Sequence, residues 1–308
     1  MLELFASSLR MAVPLLFAGL GGLLCERSGV ATICLEGALL AGAWTAAVVN
    51  LATGDPWLGA LAAMAAGALT LSLHAALTQG AKADAIVSGL AVNLFVAGLT
   101  PMLNKALYAS PTNTPSIPME QRFQPLDIPG LSSLPGIGEL LFRQSPLVYV
   151  ALLLPFAVAL ALSRTRAGLR LVAAGEGPEA LYTLGVSPRR VRAGALFVGG
   201  ALTALGGAFL STAHASQFTR DMTAGRGYIA LAALIFGGWS PLPTAGACLL
   251  FALADAAQIR IQSAPEGTLF AALPVQLVQS LPYLVTLVAL VLWGKRARPP
   301  AAIGQTLG

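Results

Sequence analysis

Apolar runs of about 20 residues, separated by short polar turns, recur along most of the 308 residues. A helix needs a run of about that length to cross roughly 30 Å of hydrocarbon. In lipid, backbone N–H and C=O groups must bond within their own segment, so each run reads as a membrane helix. The chain is 56% hydrophobic and 10% charged, far from an ordinary soluble domain. The expected fold is therefore an all-α polytopic membrane protein, a single transmembrane domain over 1–308 with about 8–10 helices. The net charge of +5 is no nucleic-acid signal, because most arginines lie in loops, where positive charge reports topology.

The first crossing, roughly Arg10–Leu24, lacks a strong basic n-region and a small-residue cleavage site, so it reads as retained, not as a signal peptide. Further crossings follow at about Val30–Leu51, Trp57–Thr78 and Ala85–Leu103. Residues 105–145 then carry six prolines from Pro111 to Pro135, which forbid a continuing helix. Lys105, Arg122 and Arg143 balance Glu120, Asp127 and Glu139 there, as expected of an outer loop. A linking helix at 146–163 leads into loop 164–192, where Arg164, Arg166, Arg170, Arg189, Arg190 and Arg192 outnumber Glu176 and Glu179. By the positive-inside rule that loop is cytoplasmic. Crossings at Ala193–Ala213, Thr223–Trp239, Thr244–Ala257 and Leu269–Trp293 precede Lys295-Arg-Ala-Arg298, which places the C-terminus inside as well. The count comes to about nine, which puts the N-terminus outside.

Thr223–Trp239 is too short and too glycine-rich for a regular crossing, and Ser28–Trp44 echoes it. Aligning Trp44 with Trp239 pairs Gly42 with Gly237, Leu39 with Leu234 and Ala38 with Ala233. The two segments are an odd number of crossings apart and run in opposite directions. The expectation is an inverted repeat, 9–104 against 193–294, with short broken helices of the kind that line transport paths.

Polar groups inside apolar runs are the candidate pathway residues. Glu36, eight residues beyond Ser28, would sit about 12 Å deep on a regular helix. A carboxylate at depth faces a bundle interior or a wet cavity; it either lines the path or caps the backbone of a broken helix. Ser88 and Asn93 offer neutral donors and acceptors, for a solute or for a neighbouring helix. Tyr228 and Phe236, with Phe95 and Trp239, supply flat faces for stacking or core packing. Arg226 either pairs with Asp221 or lies at the interface. Cys25, Cys34, Cys248, His74 and His214 are scattered, with no metal-ligand spacing, so no metal and no catalytic residue is expected.

Within the arginine-rich loop, Gly175 to Gly185 reads as a punctuated short helix. Pro178 suits the first helical position, Glu179 faces the positive end of the dipole, and Gly185 can take the left-handed stop. Such a helix is either an ordinary interfacial loop helix or a lever for a cytoplasmic motor.

Gly175, Glu176, Pro178, Glu179, Ala180 and Gly185 make this loop resemble the ATPase-docking loop of ABC importer permeases. The resemblance is to the simple-sugar and nucleoside branch, related to the branched-chain amino-acid permeases. Glu26-Arg-Ser-Gly-Val30 with Leu35-Glu36-Gly37, Ala83 to Asn93, and Phe218 to Gly237 fit the same branch in order. Thr32 and Cys34 stand where members often carry Asn and Gly, Gly177 stands where the loop often has Asn, and Gly238 replaces an often basic position. The resemblance implies a permease subunit in a bacterial inner membrane, translocating nucleosides or simple sugars. It implies an ABC ATPase partner that binds ATP and Mg²⁺, a second permease subunit as a distinct homologous chain, and an extracytoplasmic substrate-binding lipoprotein. The chain itself would carry no cofactor, since it lacks the phosphate-cradling Gly-x-x-x-x-Gly-Lys-[Ser/Thr] motif. An ion-coupled secondary transporter working through Glu36 and Asp255 is the alternative, because the inverted repeat fits it equally.

Overall fold

The computed structural model describes residues 2–127, 142–263, 275–280, 284, 287–288 and 298–305. Its helices are α1 (Leu2–Arg27), α2 (Leu35–Thr53), α3 (Pro56–Ala75), α4 (Ala85–Tyr108), α5 (Pro146–Arg164), α6 (Arg166–Glu176), α7 (Pro178–Thr183), α8 (Pro188–Phe209), α9 (Arg226–Phe236), α10 (Pro241–Gln262) and α11 (Val275–Gln279). Among the described residues, seven helices are long and apolar enough to span a membrane, namely α1 to α5, α8 and α10. α3 and α8 end in π-helical turns, Ala76–Gly80 and Leu210–His214. The expected last crossing, Leu269–Trp293, falls mostly outside the described residues.

α1 is the most buried of the seven and packs against α8, α10, α9 and α5. α8 in turn packs against α1, α2 and α3. Small residues make this possible, as lipid gives no hydrophobic drive for helices to associate and close backbone approach must supply the contact. A Cβ on Gly199 would run into Cys25 Sγ and the Gly21 carbonyl of α1, and one on Gly200 into the Gly67 carbonyl of α3.

At one end of the bundle, the loop after α4 pairs with the loop before α9. Arg220 N donates to Thr112 O (2.6 Å), Thr114 N to Phe218 O (3.0 Å) and Ile117 N to Ser216 O (2.8 Å), around a fully buried Phe218. Nearby, β1 (Leu126–Asp127) and β2 (Arg143–Gln144) form a small antiparallel pair. The arginine-rich loop lies at the opposite end, beside the junction of α1 and α2 and the segment 298–305.

Several boundaries differ from expectation: α1 begins at Leu2 and not near Arg10, α8 at Pro188 and not Ala193, and α10 runs on to Gln262; two further differences bear on the site. Ser28–Cys34 is not helical, and α2 begins only at Leu35, which puts Glu36 in a first turn instead of deep along a continuous helix. Loop 164–192 also contains a second helix, α6, whose N-terminus is capped by Thr165 Oγ1 accepting from Gly168 N (3.0 Å). Gly175 and Glu176 close that helix; only Pro178–Thr183 forms the short one.

Candidate transport pathway and coupling loop

α9 has 11 residues, a length of about 16 Å, or roughly half the hydrocarbon thickness. Each of its ends meets a glutamate from the first part of the chain. At the N-terminus, Gly225 N donates to Glu36 Oε1 (2.8 Å) and Gly227 N to Glu36 Oε2 (2.7 Å). At the C-terminus, the indole of Trp239 donates to Glu26 Oε2 (2.6 Å). The first contact follows from helix physics. The opening N–H groups of a helix have no partner inside it, and the positive end of the dipole attracts a carboxylate. Gly227 is glycine for a steric reason: a Cβ there would lie 2.6 Å from Glu36 Cα and closer still to Glu36 N.

Glu36 belongs to the first turn of α2, so the N-termini of α2 and α9 converge on one spot. Asn93 of α4 completes it. Its Oδ1 accepts from Gly37 N in the first turn of α2 (2.8 Å), while Nδ2 donates to Ile33 O (3.1 Å) and to the Tyr228 hydroxyl of α9 (2.9 Å). Three of the five sequence-selected pathway residues, Glu36, Asn93 and Tyr228, thus form one hydrogen-bonded cluster where the N-termini of α2 and α9 meet. The Tyr228 hydroxyl accepts from Asn93 and keeps its own proton to donate, and the residue is 43% exposed. It is the cluster's open side. Both carboxylate oxygens of Glu36 are committed to backbone N–H donors.

The other two residues lie apart from the cluster. Ser88 Oγ is 3.0 Å from His74 Nδ1, and His74 Nε2 is 3.1 Å from Ala31 O, so this pair ties α3 and α4 to the non-helical segment before α2. Phe236 packs edge-on against Phe251 of α10, with centroids 5.7 Å apart. Phe95, 55% exposed, opens onto a cleft of ≈ 280 Å³ shared with Trp44, Thr45 and Thr70. Asp221 pairs with Arg220 (3.5 Å), not with Arg226, whose Nη1 bonds the Met222 and Thr223 carbonyls instead.

In the loop, α7 begins at Pro178 and is followed by Gly185 in the left-handed region (φ +71°). Leu181 is its buried anchor, while Glu179, Ala180, Tyr182 and Leu184 are exposed. Glu176 lies 3.7 Å from Arg27 at the end of α1. The sequence reading missed two residues that matter here. Glu26 is legible only as part of a family-like stretch in a polar turn, and not as the acceptor that the Trp239 indole needs. Arg192 looked like one more loop arginine, yet it is 1% exposed.

A bundle of membrane-length helices, with the N-termini of α2 and the short α9 meeting inside it and a helical loop at one end, has the architecture of a transport subunit. Residues 4–292 match the family described as branched-chain amino acid transport system / permease component, and the chain belongs to that family. It is 38% identical to the guanosine ABC transporter permease protein NupQ of Bacillus subtilis, over 97% of this chain and 94% of the relative. It is 33% identical to the nucleoside ABC transporter permease protein NupC of Lactococcus lactis, over the same shares of each. A third relative, the putative glucose ABC transporter permease protein TsgC13 of Haloferax volcanii, is 35% identical over 84% of this chain and 78% of its own. No solved structure matches. The protein is therefore a multi-pass ABC transporter permease, a transport component and not an enzyme. That identity implies an ATPase and a substrate-binding partner, and it gives no support to an ion-coupled carrier.

Proposed function

We propose that this chain is one of two permease subunits through which an ATP-driven importer moves nucleosides across the inner membrane. The observation that carries the substrate class is the pair of nearly full-length relatives named for guanosine and for nucleosides. A nucleoside is uncharged at neutral pH, so its path calls for neutral donors, acceptors and flat faces. Tyr228, with the Asn93 beside it, fits that chemistry, and Glu36 holds the start of the helix that carries Tyr228.

The ATPase, which binds ATP and Mg²⁺, docks on the loop from Gly175 to Gly185, with Glu176 closing α6 and Pro178 opening α7. The exposed face of Glu179, Ala180, Tyr182 and Leu184 around a buried Leu181 supports that assignment, since an apolar face with an acidic rim suits a protein groove. The loop and the C-terminus are then cytoplasmic. The second permease is a distinct homologous chain, and an extracytoplasmic lipoprotein delivers the solute. The two halves, 9–104 and 193–294, form an inverted pair about the meeting point of α2 and α9, with outer loop 105–145, linking helix 146–163 and docking loop 164–192 between them.

The test is competitive uptake in proteoliposomes holding the whole transporter. Labelled guanosine should enter and be displaced by other nucleosides, and ribose or glucose should compete weakly. Preferential displacement by free sugars would contradict the nucleoside reading.

A further inference from the structure

Arg192, in the second turn of α8, is the largest fully buried side chain among the described residues. Burying a cation without compensation costs several kcal/mol. Here the compensation is made of carbonyls. Nε donates to Ser28 O (3.0 Å), Nη1 to Gln305 O (2.7 Å), and Nη2 to Ala174 O (3.2 Å) and Ala302 O (3.3 Å). Ser28 follows the last residue of α1, and Ala174 lies in the last turn of α6. The guanidinium therefore sits at the negative ends of two helix dipoles at once. Gly29 (φ +95°) admits it, because a Cβ there would come within 2.6 Å of Nη2.

The other two carbonyls belong to the segment 298–305, which adds bonds of its own. Ala302 N donates to Gly175 O (2.8 Å), Gly304 N to Gly29 O (3.0 Å) and Ala301 N to Glu176 Oε2 (3.4 Å). One arginine and one strap of chain thus hold together the end of α6 and the α1–α2 junction. These are the same elements that connect α7 to Glu26 and, through Glu26, to Trp239 at the end of α9.

We infer that Arg192 is a positioning residue for energy coupling, and that residues 298–305 form a strap through which it locks the docking loop to the α1–α2 junction. The inference rests on reading α7 as the ATPase docking helix. A push on α7 reaches the end of α6 across Gly177; Arg192 passes it to Ser28, two residues from the glutamate that holds α9. With the joint cut, the loop moves and α9 does not follow.

Two measurements test this on the whole transporter. In the first, Arg192→Met and removal of residues 299–308 are compared with the unaltered chain. Both complexes should assemble and hydrolyse ATP, while guanosine uptake per ATP falls about ten-fold or more. Arg192→Lys should fall between, since a point charge stays at the helix ends but the fork of donors is lost. Unchanged uptake per ATP in an assembled Arg192→Met complex would overturn the proposal. The second needs no substrate. Ala302 is 3% exposed, so Ala302→Cys should react slowly with a maleimide, and about ten-fold faster once Arg192→Met is added. Equal labelling rates would overturn the strap. If the unaltered transporter moves no guanosine or other nucleoside at all, the substrate reading fails and the labelling result alone decides this one.

Discussion

The indole Nε1 of Trp239 donates a 2.6 Å hydrogen bond to Glu26 Oε2 across 213 residues of sequence, and both residues are buried, Trp239 at 6% and Glu26 at 5% exposure. Glu36 performs the matching task at the other end of α9. One short helix is therefore held at both ends by carboxylates from the α1–α2 region, the part of the chain that also touches loop 164–192. That arrangement makes α9 the element best placed to respond when the loop moves.

The Glu26–Trp239 bond lends itself to a double-mutant cycle. Trp239→Phe removes a donor to a buried carboxylate and should cost about 1.5–3 kcal/mol of stability. In a Glu26→Gln background the same change should cost clearly less, because no charged acceptor remains to be deserted. Thermal unfolding of the purified protein in detergent reads the difference; equal costs in the two backgrounds would mean that the bond contributes nothing.

Glu36→Ala strips two N–H groups of their acceptor at the start of α9. The expected loss is about 2–4 kcal/mol, with Glu36→Gln keeping part of it through its remaining carbonyl oxygen. Hydrogen exchange localises the effect: amides of 225 and 227 should lose protection in the Ala variant well before those of α8.

Two glycines give opposite results on substitution. Gly227→Ala forces a methyl into the backbone of Glu36 and should destabilise by about 1–3 kcal/mol, or push α9 off α2. Gly246→Ala in α10 meets nothing within 4 Å and should be neutral or slightly stabilising, as alanine is the better helix former by about 1 kcal/mol. Melting temperatures of the two variants are enough to check this.

Much of this was legible in the sequence. The membrane class and most helix limits follow from run length alone, and the likeness of Ser28–Trp44 to Thr223–Trp239 led to the two segments whose N-termini meet. Pro178 and Gly185 bracket α7 as their backbone preferences dictate. What sequence could not give is which partner each polar group takes. Glu36 reads as a deep pathway carboxylate if Ser28 to Cys34 is helical, and as a cap once that stretch is not. Arg192 is indistinguishable from its exposed neighbours Arg189 and Arg190 until residues more than a hundred positions away fold onto it. α6 was hidden because its arginines dominate as a topology signal and mask the small residues, Gly168, Ala174 and Gly175, on its buried side.

Gly185→Val isolates α7. No atom lies within 4 Å of a Cβ at this position, so the whole penalty is conformational, about 1–2 kcal/mol for a left-handed residue and worse for a β-branched one. Membrane insertion should be unaffected, while ATP-dependent uptake falls. Uptake at the unaltered rate would remove α7 from the coupling path.

The most direct test of the account as a whole is the energy source for guanosine uptake by cells that carry the complete transporter. Depleting ATP while an ion gradient is maintained should abolish uptake, and collapsing the proton gradient with an ionophore while ATP is held constant should leave it intact. Uptake that survives ATP depletion but is lost to the ionophore would contradict an ATP-driven permease.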